Sequence, residues 1–353
     1  PKKLEYVTTG GSTGKPMGFY YERGVCRAIE WAFIKTLWDR VGYHFTDKCI
    51  ILRGNVVKSA EKGVYWEYSL FGRWLILSSF HMTNKNLHKY IEIIRKFKPK
   101  FIQAYPSTVT ILARFMKENN ISPFSSIKAI LCGSENLYPW QRKLLEEVFQ
   151  CRVFSWYGHT ERCVLAGECE KSTKYHIFPE YGIVELIGKD GRPINTAGEI
   201  GEIVATGFNN FACPFIRYRT GDLAALSNDK CECGRNYPLL TRVEGRLQEF
   251  IVANNWSLIP LGPVIFDIHE VEWTKVKEIQ FLQETPGELI IRVVKAPSYS
   301  DEEVEAYILR LFRTRLEGMF KLSVDFVDYI PRTQSGKYRY LIQKLSLSDM
   351  GLA

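Results

Sequence analysis

The sequence predicts an α/β fold with two domains, and three observations indicate it. Apolar strands and amphipathic helices alternate between Phe101 and Trp156, which is the pattern of a parallel βαβ sheet. Short alternating strands between Gly, Asn and Asp turns follow Tyr181, as in an antiparallel β portion. A capping box at residues 300–303 then begins a separate helix. We therefore expect a large N-terminal domain over residues 1–247 and a small, mobile α+β C-terminal domain over residues 248–353.

The composition indicates a soluble globular protein. Of 353 residues, 46% are hydrophobic and 24% are charged, so disorder is not expected. The net charge of +8 is spread along the chain. We interpret it as affinity for nucleotide phosphates, with nucleic-acid binding as an alternative that only the charge supports. No apolar run approaches the ~20 residues of a membrane span, no signal peptide is seen, and nine scattered cysteines argue against a disulfide framework. We expect a cytoplasmic location.

A glycine-rich loop near the first residues has the composition of an anion site. Its members are Thr8, Thr9, Gly10, Gly11, Ser12, Thr13, Gly14, Lys15 and Pro16. Glycines let backbone N–H groups turn towards a phosphate, and hydroxyls and a lysine add donors. The loop is not a Walker A motif, which would need glycine at Thr9 and a hydroxyl at Pro16. It joins two predicted strands, residues 4–7 and 17–21, so a flexible surface hairpin is the alternative interpretation.

Strands and helices alternate after this loop. We predict helices at residues 24–39, 86–97, from Pro106 onwards and at 139–149, and strands at residues 49–52, 101–105, 129–132 and 153–156. The short links predict a parallel sheet with right-handed crossovers. Ligands bind beyond the carboxyl ends of such strands, where residues 133–135 and 157–161 fall.

The remaining strands belong to the antiparallel portion and to the small domain. The predicted ranges are 182–187, 201–206, 215–218 and a segment within 239–251, then 279–283, 288–294 and 322–329. The helix that begins at the capping box has one apolar face and ends at Gly318. A loop that begins at Pro331 ends in Lys337.

Four further motifs follow the glycine loop in a specific order. They are Tyr157-Gly158-His159-Thr160-Glu161, Tyr218-Arg219-Thr220-Gly221-Asp222, Gly245-Arg246 and Ser335-Gly336-Lys337. Each alone is compatible with an ordinary turn. Together, from Tyr6 to Arg339, they resemble the adenylate-forming superfamily of acyl-CoA synthetases, non-ribosomal adenylation domains and luciferases. The stretch from Cys213 to Asp222 and the cysteine pattern are most similar to the phenylacetate-CoA ligase branch and its CapK-type capsule-biosynthesis relatives.

The resemblance implies an ATP-dependent, AMP-forming ligase of the acyl-CoA synthetase type, with a small carboxylic acid and an acceptor as partners. The acid would attack the α-phosphate and release pyrophosphate, so catalysis would depend on positioning and charge neutralisation. The loop from Thr8 to Lys15 would hold the β- and γ-phosphates. Glu161 would help to bind Mg²⁺, and Thr160 would lie near the α-phosphate.

The resemblance also assigns the nucleoside and the catalytic lysine. Tyr157 would flank the adenine, and Asp222 would bind both ribose hydroxyls. The remaining residues of this pocket would be Gly133, Ser134, Glu135 and Gly158, with Arg246 by the ribose and phosphate. Lys337 would bridge the carboxylate and the α-phosphate. Its charge is most useful in the transition state, so its loss should lower turnover more than ATP affinity.

The chain departs from the family pattern at three places. The pivot of the small domain is Gln248, where relatives have Asp or Lys, and we interpret it as tolerated. Asn255 replaces a glycine that lets the pantetheine arm of CoA pass the backbone. CoA is the expected acceptor, and an amide ligase of capsule biosynthesis, with an amine acceptor, is the alternative. Relatives also have more chain before the glycine loop. We therefore expect a compact variant or a fragment, and a catalytically impaired ATP-binding relative is a further alternative.

Four residues have the composition of a structural zinc site. Cys231 and Cys233, together with Cys169 and His176, would supply three thiolates and one imidazole. Unrelated surface thiols are the alternative, because Cys-x-Cys is tighter than the usual Cys-x-x-Cys, and Cys163 is a rival ligand. Sequences of the phenylacetate-CoA ligase type show a similar cysteine pattern.

The acid pocket is expected near the aromatic segment 66–82. His81 would lie near the acid and the acceptor tunnel. The alternative is a surface histidine whose hydrogen bonds are satisfied and which has no role in binding. Tyr105 would line the pocket. Aromatic walls are compatible with an aryl or planar acid, although they are common in any pocket. A homodimer is compatible with these expectations.

Overall fold

The structure of the protein is a computed structural model that describes residues 3–9, 17–55, 57–69, 72–188, 190–246, 250–256, 258–261, 274–316, 318–333 and 336–345. Two compact units are formed. The first comprises Pro1–Leu137, Gln141–Val243 and Ser335–Lys337, and the second Tyr138–Trp140, Glu244–Gln334 and Tyr338–Ala353. The boundary predicted between residues 247 and 248, and the predicted pivot Gln248, lie outside the described residues.

A β-hairpin begins the first unit. β1 (Leu4–Thr8) pairs antiparallel with β2 (Gly18–Glu22), so the two strands predicted to flank the glycine loop are confirmed. Side chains alternate between the two faces of a strand, and Phe19 and Tyr21 of β2 are buried while Tyr20 between them is exposed. The hairpin therefore has one face that packs on the rest of the unit.

Twelve further strands and four helices, counted over the described residues, follow. The strands are β3 (Cys49–Leu52), β4 (Trp66–Tyr68), β5 (Trp74–Leu77), β6 (Phe101–Ala104), β7 (Ala129–Cys132), β8 (Arg152–Gly158), β9 (Leu165–Gly167), β10 (Tyr175–Ile177), β11 (Gly182–Ile187), β12 (Ile200–Gly207), β13 (Tyr218–Ser227) and β14 (Leu239–Arg246). The helices are α1 (Cys26–Asp39), α2 (Asn84–Phe97), α3 (Pro106–Glu118) and α4 (Pro139–Phe149), with a 3₁₀ turn at Lys58–Lys62.

These strands form one sheet. Among the described residues its order is β11-β12-β13-β14-β10-β9-β8-β7-β6-β3-β5-β4. The pairs β5–β3, β3–β6, β6–β7 and β7–β8 are parallel, as the alternation of strands and helices predicts. β8 pairs antiparallel with β9, so the parallel and antiparallel portions are continuous through β8.

Helices cover both faces of the parallel strands, as such sheets require. Ile102 and Ile130 point to a core shared with α2, α3 and α4. Their neighbours Phe101 and Leu131 point to a second core that contains Leu37 and other α1 side chains. Pro106 is at the start of α3, where its missing N–H costs nothing, so Tyr105 lies directly at the carboxyl end of β6.

The second unit contains two small sheets and one described helix. Its elements are β15 (Phe250–Val252), β16 (Leu258–Pro260), β17 (Val276–Gln283), β18 (Glu288–Lys295), α5 (Asp301–Leu316), β19 (Lys321–Phe326) and β20 (Leu341–Gln343). β15 pairs with β16, and the order of the other strands is β19-β18-β17-β20. The capping box is confirmed: Glu303 N donates to Ser300 Oγ at 3.3 Å, and Ser300 N donates to Glu303 Oε2 at 3.1 Å.

The structure corrects two predicted strands and adds several that the sequence did not predict, namely β4, β5, β9, β10, β16 and β20. The strand predicted at residues 215–218 begins only at Tyr218, because Arg217 adopts a φ of +47°, which an extended strand does not contain. The strand predicted at 322–329 ends at Phe326. β9 and β10 were not predicted, since three residues are too few to show a periodicity. None of the described helices is both long and apolar enough to cross a membrane.

Candidate functional site

Polar and aromatic residues collect at the carboxyl ends of the parallel strands. Arg53 follows β3, Tyr105 follows β6, residues 133–135 follow β7 and residues 159–161 follow β8. Gly133 has no space for a side chain, because a Cβ there would lie 2.7 Å from the indole ring of Trp156. The structure thus brings the two predicted segments, residues 133–135 and 157–161, to one edge of the sheet. This edge is where such folds bind ligands.

Glu161 is a buried carboxylate held by two neighbours. Its Oε1 accepts a hydrogen bond of 2.7 Å from Tyr218 Oη, and its Oε2 lies 3.1 Å from His159 Nδ1. Burial, with 5% of Glu161 exposed, would raise its pKa, but the hydrogen bonds and the charge of His159 outweigh this and hold the pKa at about 2. Glu161 is therefore an ionised carboxylate at neutral pH, fixed in position for a cation or a donor.

Asp222 is the second fixed carboxylate. Tyr157 Oη donates to Asp222 Oδ2 at 2.6 Å, and Asp222 N donates to Thr220 Oγ1 at 3.0 Å. Only 7% of Asp222 is exposed. Tyr218 and Asp222 both lie on β13, whose register with β12 is interrupted between Arg219 and Leu223, where Gly221 has a φ of +72°. Two tyrosine–carboxylate hydrogen bonds thus join β13 to the end of β8.

The hairpin of β1 and β2 is anchored beside the same motif. Tyr21 Oη donates to the backbone carbonyl of Thr160, and the guanidinium of Arg162 lies 4.3 Å from the centroid of the Tyr21 ring. Thr9 closes the described part of the hairpin, since Thr9 N donates to Met17 O at 2.9 Å and Met17 N donates to Thr9 Oγ1 at 3.0 Å. The predicted anion-binding residues Gly10, Gly11, Ser12, Thr13, Gly14 and Lys15 lie outside the described residues.

The residues after β7 contact the neighbouring strand ends. Ser134 has a φ of +67°, and its Oγ accepts a hydrogen bond from Arg53 Nη2. Glu135 accepts hydrogen bonds from the backbone N–H of Ser107 at 3.0 Å and from Ser107 Oγ at 3.1 Å. Gly158 ends β8.

Lys337 belongs to the first unit, as does Gly336 before it. Its Nζ lies 5.7 Å from the ring centroid of Tyr105. Gly336 has a φ of +75°, and a Cβ there would lie 2.8 Å from Gly54 Cα, so only glycine permits this approach. The predicted catalytic lysine and the predicted pocket residue Tyr105 are therefore neighbours.

Two other predicted residues have no contact with this group among the described side chains. His81 Nδ1 lies 2.7 Å from Ser78 Oγ, and its ring stacks on Tyr65 with 5.2 Å between centroids. These contacts are those of a histidine whose hydrogen bonding is satisfied within the protein. The role of His81 near the acid substrate therefore stays a prediction. Arg246 ends β14, and the position of its side chain is outside what the structure describes.

The four predicted metal ligands converge. The ligand atoms of Cys169, His176, Cys231 and Cys233 all lie within 4.8 Å of one another. Cys169 Sγ is 3.5 Å from Cys231 Sγ, and Cys233 Sγ is 3.7 Å from His176 Nε2. The rival ligand Cys163 is not in this cluster, and its Sγ instead lies 3.5 Å from the carbonyl oxygen of Glu161.

Tyr21, His159 and Arg53 are among the residues of the site for which the sequence predicts no role. Tyr21 was only a strand residue in the prediction, although its position on the inner face of β2 was readable from the alternation. His159 and Tyr218 lie within the motifs, but their contacts with Glu161 have no signal in the sequence. Arg53 directly follows a parallel strand, and that position alone was a signal, because side chains that follow such strands reach the ligand-binding edge.

Comparison with known families decides the class of the protein. A family model described as AMP-binding enzyme matches residues 6–213, more than half of the chain. The chain belongs to the AMP-binding enzyme family. A second model, the CapK C-terminal domain, matches residues 254–344 of this AMP-binding enzyme. The first match contains the glycine loop and the motif that ends in Glu161, whereas Asp222 lies beyond it.

Similar proteins place the AMP-binding enzyme within the adenylate-forming superfamily. It is 28% identical to Protein CapK of Staphylococcus aureus, over 97% of this chain and 75% of that protein. It is 26% identical to a phenylacetate-coenzyme A ligase of Thermus thermophilus, over 79% of this chain and 67% of that protein. The predicted superfamily and its branch of CapK-like and phenylacetate-CoA ligase-like proteins are confirmed.

Solved structures confirm the α/β fold. A 2-hydroxyisobutyryl-CoA ligase in complex with 2-HIB-AMP has a TM-score of 0.73 and 19% identity, over 97% of this chain and 74% of that chain. The anthranilate CoA ligase AuaEII in complex with anthranoyl-AMP has a TM-score of 0.65 and 16% identity, over 95% of this chain and 64% of that chain. At such identities the likeness concerns the fold alone.

Proposed function

We propose that this AMP-binding enzyme is an ATP-dependent, AMP-forming acid ligase. In the first step, a carboxylate oxygen of the acid forms a bond to the α-phosphorus of ATP. The bond from that phosphorus to the bridging oxygen of the β-phosphate breaks, and pyrophosphate leaves with the electron pair. In the second step, an acceptor attacks the acyl carbon and AMP leaves with the electron pair of the broken bond.

The pair of buried carboxylates, Glu161 and Asp222, carries this proposal. Each accepts a hydrogen bond from a tyrosine, at 2.7 and 2.6 Å, and both lie by the end of β8. Transfer between two anions depends on fixed charges and positioned groups. We assign Asp222 to the ribose hydroxyls and Tyr157 to the adenine. The same pocket would include Gly133, Ser134, Glu135, Gly158 and Arg246.

Glu161 fits a magnesium ion. A carboxylate has about four lone-pair sites, and the hydrogen bonds to His159 and Tyr218 occupy only part of them. Ionised oxygens are the ligands that Mg²⁺ prefers, and a bound ion would neutralise charge on the phosphates. Thr160 would then lie near the α-phosphate, with the loop from Thr8 to Lys15 on the β- and γ-phosphates. Lys337, beside Tyr105, would bridge the α-phosphate and the carboxylate.

Exchange of labelled pyrophosphate into ATP tests the first step. We expect at least one member of a panel of aryl, fatty and sugar acids to support exchange by the whole protein above the rate without acid. If none does, the enzyme is not an acid ligase of this kind. The alternative, an ATP-binding relative without catalysis, would then show ATP binding by calorimetry but no exchange.

The acceptor we propose is the thiol of CoA, whose proton would pass to solvent. An amine acceptor remains the second candidate, because Asn255 places an exposed side chain where the family glycine leaves space for pantetheine. Mass spectrometry of reactions that contain CoA or an amine separates them. A thioester supports CoA, whereas an amide formed without any thioester would exclude it.

We also propose that the cluster of Cys169, His176, Cys231 and Cys233 holds a structural zinc ion. Zn–S bonds of about 2.3 Å and Zn–N bonds of about 2.0–2.1 Å give ligand–ligand edges of roughly 3.5–3.8 Å in a tetrahedron. The separations of 3.5 Å between two thiols and 3.7 Å between thiol and imidazole are close to these edges, and all four ligand atoms lie within 4.8 Å of one another. The ion would join the segment around β9 and β10 to the loop before β14.

Metal analysis of the purified protein tests the zinc site. We expect about one zinc ion per chain and much less in Cys231→Ser, because three ligands bind zinc far more weakly than four. Cys151→Ser is the control, since Cys151 is a partly buried thiol outside the cluster. Undiminished zinc in Cys231→Ser would exclude this ligand set.

A further inference from the structure

Arg53 places a positive charge among the aromatic residues at the end of β3. Its guanidinium carbon lies 5.5 Å from the ring centroid of Tyr105 and 5.6 Å from that of Trp156, and Nη2 donates to Ser134 Oγ. The next residue is fixed as well, because Gly54 N donates to Ser79 Oγ at 2.9 Å. The cation is therefore held in position at the ligand-binding edge of the sheet.

This charge forms no contact ion pair in the part of the chain that the structure describes. The described carboxylate that acts on Arg53 is Glu135, which attracts it through space but is hydrogen-bonded to Ser107. Arg53 Nε is buried without a hydrogen-bond partner among the described residues. Burial lowers the pKa of Arg53, although arginine remains charged in proteins. Arg53 is partly buried, and a cation withdrawn from water without a contact ion pair is stabilised when a ligand supplies an anion.

A second unpaired atom lies on the same short segment. Within the described residues, Asn55 Oδ1 is also buried without a hydrogen-bond donor. Buried polar groups normally have partners, so an orphan donor and an orphan acceptor two residues apart indicate a ligand with complementary groups. An oxyanion would satisfy Arg53, and a hydroxyl would satisfy Asn55.

We propose that Arg53 binds a second oxyanion of the acid substrate, so that the acid is a hydroxylated compound with an additional carboxylate, phosphate or sulfate. This inference rests on the proposed function, in which Lys337 takes the reacting carboxylate. Both cations flank one ring, at 5.5 and 5.7 Å from the centroid of Tyr105. A substrate with two anionic groups uses both charges, whereas a simple aryl acid leaves Arg53 unpaired.

Pyrophosphate exchange with matched acid pairs tests the proposal. Each pair is a dicarboxylic acid and its monoamide of equal size. We expect wild type to prefer the diacid in kcat/KM, and Arg53→Gln to lose about tenfold for the diacid, the factor typical of a charged hydrogen bond, with little change for the monoamide. Arg53→Lys should recover part of the preference. Arg192→Gln is the control, because Arg192 is 85% exposed.

Two results would overturn the role of Arg53. One is a wild type without preference for the diacid in any pair. The other is Arg53→Gln with equal losses for diacid and monoamide, which a supporting role in the pocket wall would produce. Exchange with the monoamide shows that the ligase activity persists. If no acid supports exchange, the proposed ligase function is wrong. The role of Arg53 can then still be tested, because calorimetry compares the affinity of the diacid for wild type and for Arg53→Gln.

Discussion

Tyr157 Oη and Asp222 Oδ2 are 2.6 Å apart, in a hydrogen bond that joins β8 to β13. The two strands are not neighbours in the sheet, and the residues are 65 positions apart in sequence. A neutral phenol donating to a carboxylate forms a short, charge-assisted bond. It fixes the rotamer of Asp222 and the plane of the Tyr157 ring together, so the proposed ribose and adenine contacts are coupled.

Removal of this bond should weaken ATP binding more than catalysis. In Tyr157→Phe the ring remains, but Asp222 loses a donor, which is worth about 1.5–3 kcal/mol for a charged acceptor. We expect the KM for ATP in pyrophosphate exchange to rise roughly tenfold or more, with kcat changed little. Tyr237→Phe is the control, because it removes another tyrosine–carboxylate bond, to Glu180, away from this site. An unchanged KM for ATP in Tyr157→Phe would contradict the assigned role.

Tyr21 should position the hairpin that carries the glycine loop. Tyr21→Phe removes the hydrogen bond to the carbonyl of Thr160 and keeps the ring under Arg162. A neutral hydrogen bond contributes about 1 kcal/mol, so we expect kcat/KM for ATP to fall about fivefold and amide exchange in β1 and β2 to become faster. Tyr20→Phe, its exposed neighbour on β2, should behave as wild type. Equal effects of the two substitutions would show that the Thr160 bond has no positioning role.

The parts of the fold that sequence predicts are those with local signals. The alternation from Phe101 to Trp156 predicts the parallel sheet, and the capping box predicts the start of α5, because periodicity and end signals act over a few residues. β9 and β10 lack such signals, and their partners β8 and β14 come from distant segments. For the same reason a motif predicts Glu161 as a functional residue but not its bonds to His159 and Tyr218, which depend on tertiary packing.

Lys337 should matter for turnover more than for binding. Lys337→Ala removes a charge that we assign to the transition state, so kcat of exchange should fall by about a hundredfold or more, with the KM for ATP changed only a few-fold. Lys117→Ala is a matched control, because Lys117 is 55% exposed and pairs with Glu147 on the surface. If Lys337→Ala raises the KM for ATP and leaves kcat unchanged, Lys337 binds the nucleotide and does not act in the transition state.

Glu161 should stabilise the fold in a pH-dependent way. Its pKa is about 2 in the folded chain, against an ordinary value of 4.5. A carboxyl whose pKa is lower in the folded than in the unfolded chain stabilises the folded state. This stabilisation is complete when the pH is above the pKa of the unfolded chain, and it is lost as the pH falls towards the pKa of the folded chain. The shift corresponds to about 3 kcal/mol, since one pKa unit is about 1.4 kcal/mol. Glu161→Gln should therefore lower Tm at pH 6.5, and the difference from wild type should shrink from pH 4.5 to pH 3.

The control for this pH series is Glu147→Gln, which removes an exposed carboxylate and should leave Tm nearly unchanged at every pH, because exposed ion pairs contribute little. All measurements are made without ATP and Mg²⁺, so that only contacts within the protein contribute to Tm. A Tm difference for Glu161→Gln that does not depend on pH would mean that its ionisation is not what His159 and Tyr218 stabilise. A difference that shrinks on acidification, together with loss of exchange at neutral pH, would support a carboxylate kept ionised for a bound cation.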